Sequence, residues 1–283
     1  MKPTPATLSP HKPTVLTTVL SLGVSVAFLV GAPVTPAAPT WQNTTIESFS
    51  TRFTSSDWST VRAAKDSLES LQAQAIPVLL ALLGRDEYVK LRDTADLIYP
   101  GATEFWGHGG VVDYDIDWLS VRAGWALEDL TFQNFGFREG AINHDALLKS
   151  AMAGKVDVLL SSVVALESDA DVKRERRSRA ISAATAWGTR SSDAWNRLAA
   201  VVDALRSDDP VRQVTALNWL RHGTTPCQGL SKETFTQTIL PEVRRLAGSN
   251  DSGVTEQADY LVRDFESKEW YWLSLKETEK GRR

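Results

Sequence analysis

A short pattern of proline, two apolar residues and glycine occurs twice in the chain, and it limits the possible fold more than any other feature. Pro77 and Pro241 each begin it, with apolar residues two and five positions later and glycine seven positions later. Proline is tolerated in the first turn of a helix and glycine ends one. Each copy therefore predicts a helix, a polar turn and then a second helix, near Leu97 and near Leu261. A recurring helix pair predicts an array of helical repeats.

Several predicted helices begin with a second shared pattern. Residues 208–212 read Asp-Asp-Pro-Val-Arg and lead into Ala216 and Leu220. The Asp-Pro turn starts a helix, valine and leucine face the core, and alanine allows a paired helix to pack closely. Related helix starts place a basic residue at the same point of the pattern. These basic residues are Lys90, Arg122, Arg179 and Arg212.

These helix starts resemble those of the HEAT repeats, in particular the PBS-lyase HEAT-like superfamily, over roughly residues 57–266. The resemblance implies an all-α fold, a right-handed α-solenoid of HEAT-like helical repeats. It also implies that Arg122, Arg179 and Arg212 are structural residues, because the basic residue of the family commonly reaches a turn carboxylate of an adjacent repeat. The resemblance implies no catalytic activity.

The stretch from Tyr99 to Phe137 is rich in aromatic residues and has two parts. Residues 99–116 contain one proline and four glycines among aromatic side chains, which predicts one long ordered Gly/aromatic loop rather than a helix. We expect this loop to project from one side of the array. Residues 117–130 place Trp118, Val121 and Trp125 at helical spacing, with small residues at positions 123, 124 and 126. They predict a buried helix that a neighbouring element can approach closely.

The first 37 residues have the layout of a secretory signal peptide. Lys2 and Lys12 precede an uncharged run over residues 15–32, and small residues lead to a cleavage position after Ala37. This predicts a periplasmic or secreted protein. If the segment is not cleaved, its apolar run is close to the lower length limit for a membrane span and would anchor the chain. The expected organisation is a signal peptide over 1–37, a linker and short capping helix over 38–56, a repeat domain over 57–275 and a tail over 276–283.

The net charge, the cysteine count and the absence of two catalytic motifs argue against nucleic-acid binding, internal disulfides and two common kinds of hydrolase. Without residues 1–37 the chain has 29 basic and 35 acidic residues, a formal charge of 29 − 35 = −6. A surface of this charge does not favour nucleic acid. Cys227 is the only cysteine, so no internal disulfide can form. The sequence also contains neither Gly-x-Ser-x-Gly nor His-Glu-x-x-His, and we expect no cofactor.

The aromatic loop supplies the candidate binding residues. A helical solenoid presents extended concave surfaces, so the leading hypothesis is a scaffold that binds a protein partner. Trp106, His108 and Tyr114 are the residues that we expect to contact this partner, because ordered loops of this composition are often functional. The alternative is that they only fasten the loop to the core.

Three aspartates near His108 suggest a different function. Asp113, Asp115 and Asp117 alternate along the chain, as carboxylates do in hard-cation sites, and a histidine beside them suits a general base. The calcium-loop pattern is incomplete, because tryptophan and glycine stand where glycine and glutamate are required. The alternative function is therefore a metal-dependent enzyme or metal-binding protein that uses His108, Asp113 and Asp115. The structural interpretation of Asp117 is a cap for the following helix.

A basic run over residues 173–179 has two interpretations. Five of its seven residues are lysine or arginine, which would suit an anionic partner or lipid headgroups. The apolar residues that continue the same helix, including Ile181, Ala184 and Trp187, favour a simpler interpretation. We predict that the run is the solvated face of a helix.

Overall fold

The computed structural model of the protein describes residues 40–103, 110–139, 169–222 and 232–267. All of them belong to one unit, Ala38–Arg283. Within these ranges the chain is mostly helical, as the sequence predicts, and contains one pair of very short parallel strands. None of the helices described is both long and apolar enough to cross a membrane. The predictions made for residues 1–37 lie outside the described residues.

The helices and strands are labelled here in chain order over the described residues. The first half contains α1 (Thr40–Phe53), α2 (Trp58–Ser70), a 3-10 turn (Gln72–Gln74), α3 (Ala75–Leu82), β1 (Leu97–Ile98), β2 (Gly110–Val111) and α4 (Leu119–Thr131). The second half contains α5 (Ala170–Ser191), α6 (Arg197–Arg206), α7 (Pro210–His222), α8 and α9 (Ser252–Ser267). Helix α8 runs through Lys232–Thr234, a π-helical turn over Phe235–Ile239 and a regular part over Leu240–Leu246.

The second copy of the proline and glycine pattern forms the helix pair that the sequence predicts. Pro241 lies in the first turn of the regular part of α8, and Leu261 is buried in α9. Helix α8 packs on α9, α6 packs on α7, and the two pairs contact each other through α7 with α9 and α6 with α8. The C-terminal half is therefore a stack of two helix pairs.

The first copy departs from this prediction. Helix α3 forms as expected. The prediction of a second helix near Leu97 is wrong, because Leu97 lies in β1 and the chain before it is irregular. Tertiary hydrogen bonds take the backbone groups that a helix would use: the Val89 N–H donates to the Asp117 carbonyl at 2.7 Å, and the Leu119 N–H donates to the Glu87 carbonyl at 2.9 Å. Asp93 is also in a left-handed conformation, with φ at 57°.

The described part of the aromatic loop is integrated in the core and does not project from it. The side chains of Tyr99, Tyr114 and Ile116 are all buried. Strand β1 pairs with β2 in parallel register, with Leu97 opposite Gly110. The prediction of a projecting loop is wrong for these residues. Their aromatic and aliphatic side chains are more stable in the core, because packing there removes their apolar surface from water.

Helix α4 is the buried helix that its small residues predict. A Cβ atom on Gly124 would lie 2.5 Å from the ring of Phe137, so glycine is required for this close approach. The aromatic rings of Trp58 and Trp125 join α2 to α4, with ring centroids 6.0 Å apart and nearly parallel planes. Helix α4 thereby becomes the centre of the core of the N-terminal half.

Phe132 connects this half to the C-terminal helices. It ends α4 in a left-handed conformation, with φ at 55°, and its side chain is buried in the core formed by α6, α7, α8 and α9. Its ring meets Trp219 edge to face at a centroid distance of 5.4 Å. Arg212, one of the expected structural arginines, donates to the Phe132 carbonyl at 3.0 Å and pairs with the Asp203 carboxylate.

Arg122 is a structural residue, but its partners are carbonyl groups rather than the turn carboxylate that the resemblance implies. The side chain is completely buried in α4. Its guanidinium donates to the carbonyls of Phe53, Ser55, Val89 and Ile116, with distances of 2.9 Å to Ser55 and 2.7 Å to Val89. It thus ties the end of α1, the turn before α2, the irregular segment and the aromatic loop to one helix. Arg179, by contrast, lies exposed on α5 and pairs with Glu175 one turn earlier.

Arg122→Gln is expected to destabilise the protein by about 3 kcal/mol or more, because two buried and two partly buried carbonyls lose their donor. Arg179→Gln removes the same charge from an exposed pair and is the matched control, with an expected cost of about 0.5 kcal/mol or less. Urea unfolding followed by circular dichroism measures both values. Equal unfolding midpoints for the two variants would contradict the role assigned to Arg122.

Candidate functional site

An open cleft of about 470 Å³ lies where α2, α4 and α7 meet the strand pair. Three tryptophans line it: Trp58 on α2, Trp125 on α4 and Trp219 on α7. The remaining lining is dominated by charged side chains and by the backbone of β2 and the residues that follow it. The volume falls in the range of ligand-binding pockets, but the lining holds more charged side chains than such pockets usually do.

Lys65 is the basic group at the α2 side of the cleft. Only 8 % of the residue is exposed, and its ammonium lies 2.9 Å from an Asp129 carboxylate oxygen, hydrogen bonds to Glu69 and sits 4.6 Å from the centre of the Trp125 ring. Burial opposes the charged form, but the attraction of Asp129 and Glu69 outweighs it and raises the pKa of Lys65 above its ordinary value. Lys65 is therefore a fixed positive charge at neutral pH.

Arg138 forms the second fixed positive charge. Its guanidinium lies 3.3 Å from an Asp113 carboxylate oxygen, 3.9 Å from one of Asp129 and 3.0 Å from the Thr215 hydroxyl. It also lies 5.0 Å from the centre of the Tyr114 ring. Burial works against the charge, but the surrounding Tyr114 and carboxylates raise the pKa of Arg138 overall. Asp129 thus stands between two cations, one from α2 and one from the segment after α4.

Tyr114 lines the cleft, and a hydrogen bond to Glu128 fixes its side chain. Its hydroxyl donates to the Glu128 carboxylate at 2.7 Å, and the other oxygen of Glu128 accepts from the backbone N–H groups of Phe135 at 2.6 Å and Gly136 at 3.0 Å. Burial raises the pKa of both the Tyr114 hydroxyl and the Glu128 carboxyl. The tyrosine is consequently held in place, and its hydroxyl is occupied.

The binding residues predicted from sequence divide into two groups. Trp106 and His108 lie outside the described residues. Tyr114 lines the cleft, although it is only 1 % exposed and its hydroxyl is used by Glu128. Asp113 lies beside it in the same cleft.

Sequence reasoning missed the charged centre of the cleft, formed by Lys65, Asp129 and Arg138. One signal was present: Lys65 follows Ala64 and precedes Leu68 on the buried face of α2, where a lysine is unusual without a partner. Asp129 and Arg138 come from a distant part of the chain, and nothing in their local sequence indicates that they lie near Lys65.

The three alternating aspartates have separate structural uses. Asp117 does not cap α4; it accepts from the Leu91 N–H at 2.9 Å, the Tyr99 hydroxyl at 3.0 Å and the Lys90 ammonium at 3.0 Å. Asp113 pairs with Arg138, and Asp115 is buried. Within the described ranges, no three histidine, cysteine, aspartate or glutamate residues are grouped so as to hold a metal ion.

The basic run on α5 is largely used inside the molecule. Lys173 and Arg176 pair with the buried Glu139 at 3.2 Å and 2.6 Å, and Arg177 pairs with Asp86 at 2.8 Å while lying 3.8 Å from the centre of the Trp118 ring. The prediction of a solvated helix face is wrong for these three residues. Their ion pairs attach α5 to the segments before and after α4, which local sequence does not reveal.

Comparison of the chain with protein-family models, with curated proteins and with solved structures gives no match.

Tyr114→Phe tests the hydrogen bond between the Tyr114 hydroxyl and the Glu128 carboxylate. The variant leaves one oxygen of the buried Glu128 carboxylate without its donor, and we expect a loss of about 1–3 kcal/mol in the free energy of unfolding. Tyr260→Phe is the matched control because it keeps the ring that contacts Arg221 and Arg263. Urea unfolding of both variants gives the comparison, and a loss for Tyr260→Phe as large as that for Tyr114→Phe would refute the assignment.

Asp115 makes the stability of the protein depend on pH. Burial, followed by the nearby carboxylates of Glu139 and Asp117, raises its pKa from 3.8 to about 6. Because the folded state holds this proton more tightly than the unfolded state, the contribution of Asp115 is fully present below about pH 4 and is lost as the pH rises through 6. The loss amounts to about 3 kcal/mol at most, since each pKa unit corresponds to ~1.4 kcal/mol.

Asp115→Asn removes this titration. We expect the difference in unfolding free energy between wild type and variant to move in favour of the variant by up to about 3 kcal/mol between pH 4 and pH 7. Urea unfolding at several pH values in constant salt measures it. A difference that does not change with pH would show that Asp115 is ionised equally easily in both states.

Proposed function

We propose that this protein is an exported HEAT-like repeat protein that acts as a protein-interaction scaffold in the periplasm or outside the cell. The observation that carries the proposal is the open cleft of about 470 Å³ lined by Trp58, Trp125 and Trp219. Tryptophan is enriched where protein surfaces bind each other, because it combines a large apolar area with a polar edge. The proposed location rests on the signal-peptide layout of residues 1–37.

The proposed repeat architecture is supported by the way in which helices α7 and α9 begin. Asp209 and Asp251 lie 251 − 209 = 42 positions apart, within the length of HEAT and armadillo repeats. Each accepts a backbone N–H at the start of its helix at 2.9 Å, and the backbone N–H of each donates to a serine hydroxyl two residues earlier. Asp57 starts α2 in the same manner, with Ser55 as the serine.

Two basic groups of the cleft, Lys65 and Arg138, are fixed positive charges. Lys65 and Arg138 both have raised pKa values, so they keep their protons at neutral pH and do not serve as bases. The hydroxyl of Thr215 donates to the Val211 carbonyl at 2.8 Å and accepts from Arg138. The cleft therefore presents prearranged charges and ring surfaces, which suits recognition of a partner.

The metal-dependent alternative draws no support from the residues that the structure describes. It requires the carboxylates of Asp113 and Asp115 to coordinate one ion together with His108. Asp113 is committed to Arg138, and Asp115 is 8 % exposed and is not among the cleft residues. His108 lies outside the described residues.

Site-specific photo-crosslinking in the native host tests the scaffold proposal. Asn218 is exposed on α7 and lines the cleft, so a benzoylphenylalanine in its place is expected to form a covalent adduct with the partner. The same residue in place of Asp259, exposed on α9 and not among the cleft residues, is the control. A protein adduct that forms at position 218 and not at 259, identified by mass spectrometry, is the expected result. Equal adducts at both positions, or none at either, would refute binding through the cleft.

A further inference from the structure

Helix α5 is attached to the rest of the molecule in two different ways along its length. Its C-terminal part, residues 180–191, buries Ala180, Ala184 and Gly188. A Cβ atom on Gly188 would lie too close to the side chain of Leu80 on α3, so these two helices approach each other closely. The two alanines belong to the apolar core of the N-terminal half. This part of α5 is therefore held by apolar packing.

The N-terminal part of α5, residues 170–179, contributes no apolar side chain to the described core. Arg177 is its only buried residue, and Val172, its one large apolar residue, is exposed. Segments with few buried apolar contacts open locally at a lower free energy than the core around them. The first ten residues of α5 thus lack the packing that stabilises the rest of the helix.

Ion pairs attach these ten residues instead. Lys173 and Arg176 pair with Glu139 at 3.2 Å and 2.6 Å. Arg177 pairs with Asp86 at 2.8 Å. The side chains of Lys173 and Arg176 are only half-buried, and Asp86 is exposed. Water competes for such groups, and the cost of removing them from water offsets much of their attraction.

The attached helix covers an aromatic side chain. The Arg177 guanidinium lies 3.8 Å from the centre of the Trp118 ring. Trp118 meets Tyr88 edge to face at a centroid distance of 5.2 Å, and Tyr88 is exposed. Movement of Arg177 away from this position would therefore join the two rings into one exposed aromatic surface, and it would release Asp86 from its ion pair.

We propose that residues 170–179 form an electrostatic strap that unfolds locally while residues 180–191 remain packed, and that its opening uncovers Trp118 beside Tyr88. At low ionic strength the carboxylate partners hold the three cations of the strap, and the strap is closed. Added salt screens these pairs and raises the open fraction. The exposure of an aromatic surface on the protein thereby depends on ionic strength.

Hydrogen exchange of the full mature chain, followed by mass spectrometry, measures the opening. We expect the amides of residues 173–179 to exchange faster than those of residues 184–188, because local unfolding requires less free energy than unfolding of the core. Raising sodium chloride from about 0.05 M to about 0.5 M should speed exchange of the first group about threefold or more and leave the second group unchanged.

Two variants with the same chemical change separate the strap from the general loss of an ion pair. Glu139→Gln removes both pairs to α5, and we expect residues 173–179 to exchange about tenfold faster, as fits the loss of two partly exposed pairs. Glu175→Gln removes only an exposed pair with Arg179 inside the helix, and we expect a change of about twofold or less.

Hydroxyl-radical footprinting measures the aromatic surface separately. Oxidation of Trp118 should increase with salt in the wild type and should be greatest in Glu139→Gln. The salt series on the wild type decides the proposal even if that variant does not fold.

Four outcomes would overturn the proposal. They are exchange of residues 173–179 as slow as that of residues 184–188, exchange that does not respond to salt, and equal effects of the two variants. The fourth is faster exchange without greater oxidation of Trp118, which would show that the helix end frays and leaves the aromatic surface covered.

Discussion

The buried guanidinium of Arg122 is the interaction on which the N-terminal half depends. Four carbonyls from four separate segments converge on it, and burial lowers its pKa only to about 10, so it remains charged at neutral pH. Carbonyl groups buried without a donor are costly, and a single planar donor group satisfies all of them. Helices α2 and α4 are held in one arrangement as a result, and the cleft lies against these two helices.

Buried carboxylates perform the complementary task of holding segments that are not regular. Asp117 organises the irregular chain between α3 and β1, Glu128 binds the backbone that follows α4, and Glu139 fixes α5 through Lys173 and Arg176. Asp117 and Glu128 accept backbone N–H groups that lie outside any helix, whereas Glu139 pairs with side chains of α5. These buried carboxylates thus connect segments of the chain inside the molecule.

Local patterns predicted most of the helices, because a helix is determined by residues three and four positions apart. The amphipathic spacing of α2, the proline start of α3, the tryptophan spacing of α4 and the Asp-Pro start of α7 all produced helices where expected. The prediction was wrong near Leu97, in the aromatic loop and on the basic face of α5. In each case a distant carboxylate, carbonyl or strand competes with the local preference, and such partners leave no local signal.

The sequence by itself determined that the chain is mostly helical and that α4 carries small residues on its surface. The hydrophobic period, the helix caps and the small residues are all patterns within a few positions of the chain. It also placed Tyr114 and Asp113 in a stretch that forms part of the cleft. Only the tertiary structure decided that Lys65, Asp129 and Arg138 lie together and that Arg122 donates hydrogen bonds to four carbonyl groups. Most of those contacts join residues that are distant in sequence, and their free energy comes from burial and charge pairing that exist only after the helices have packed.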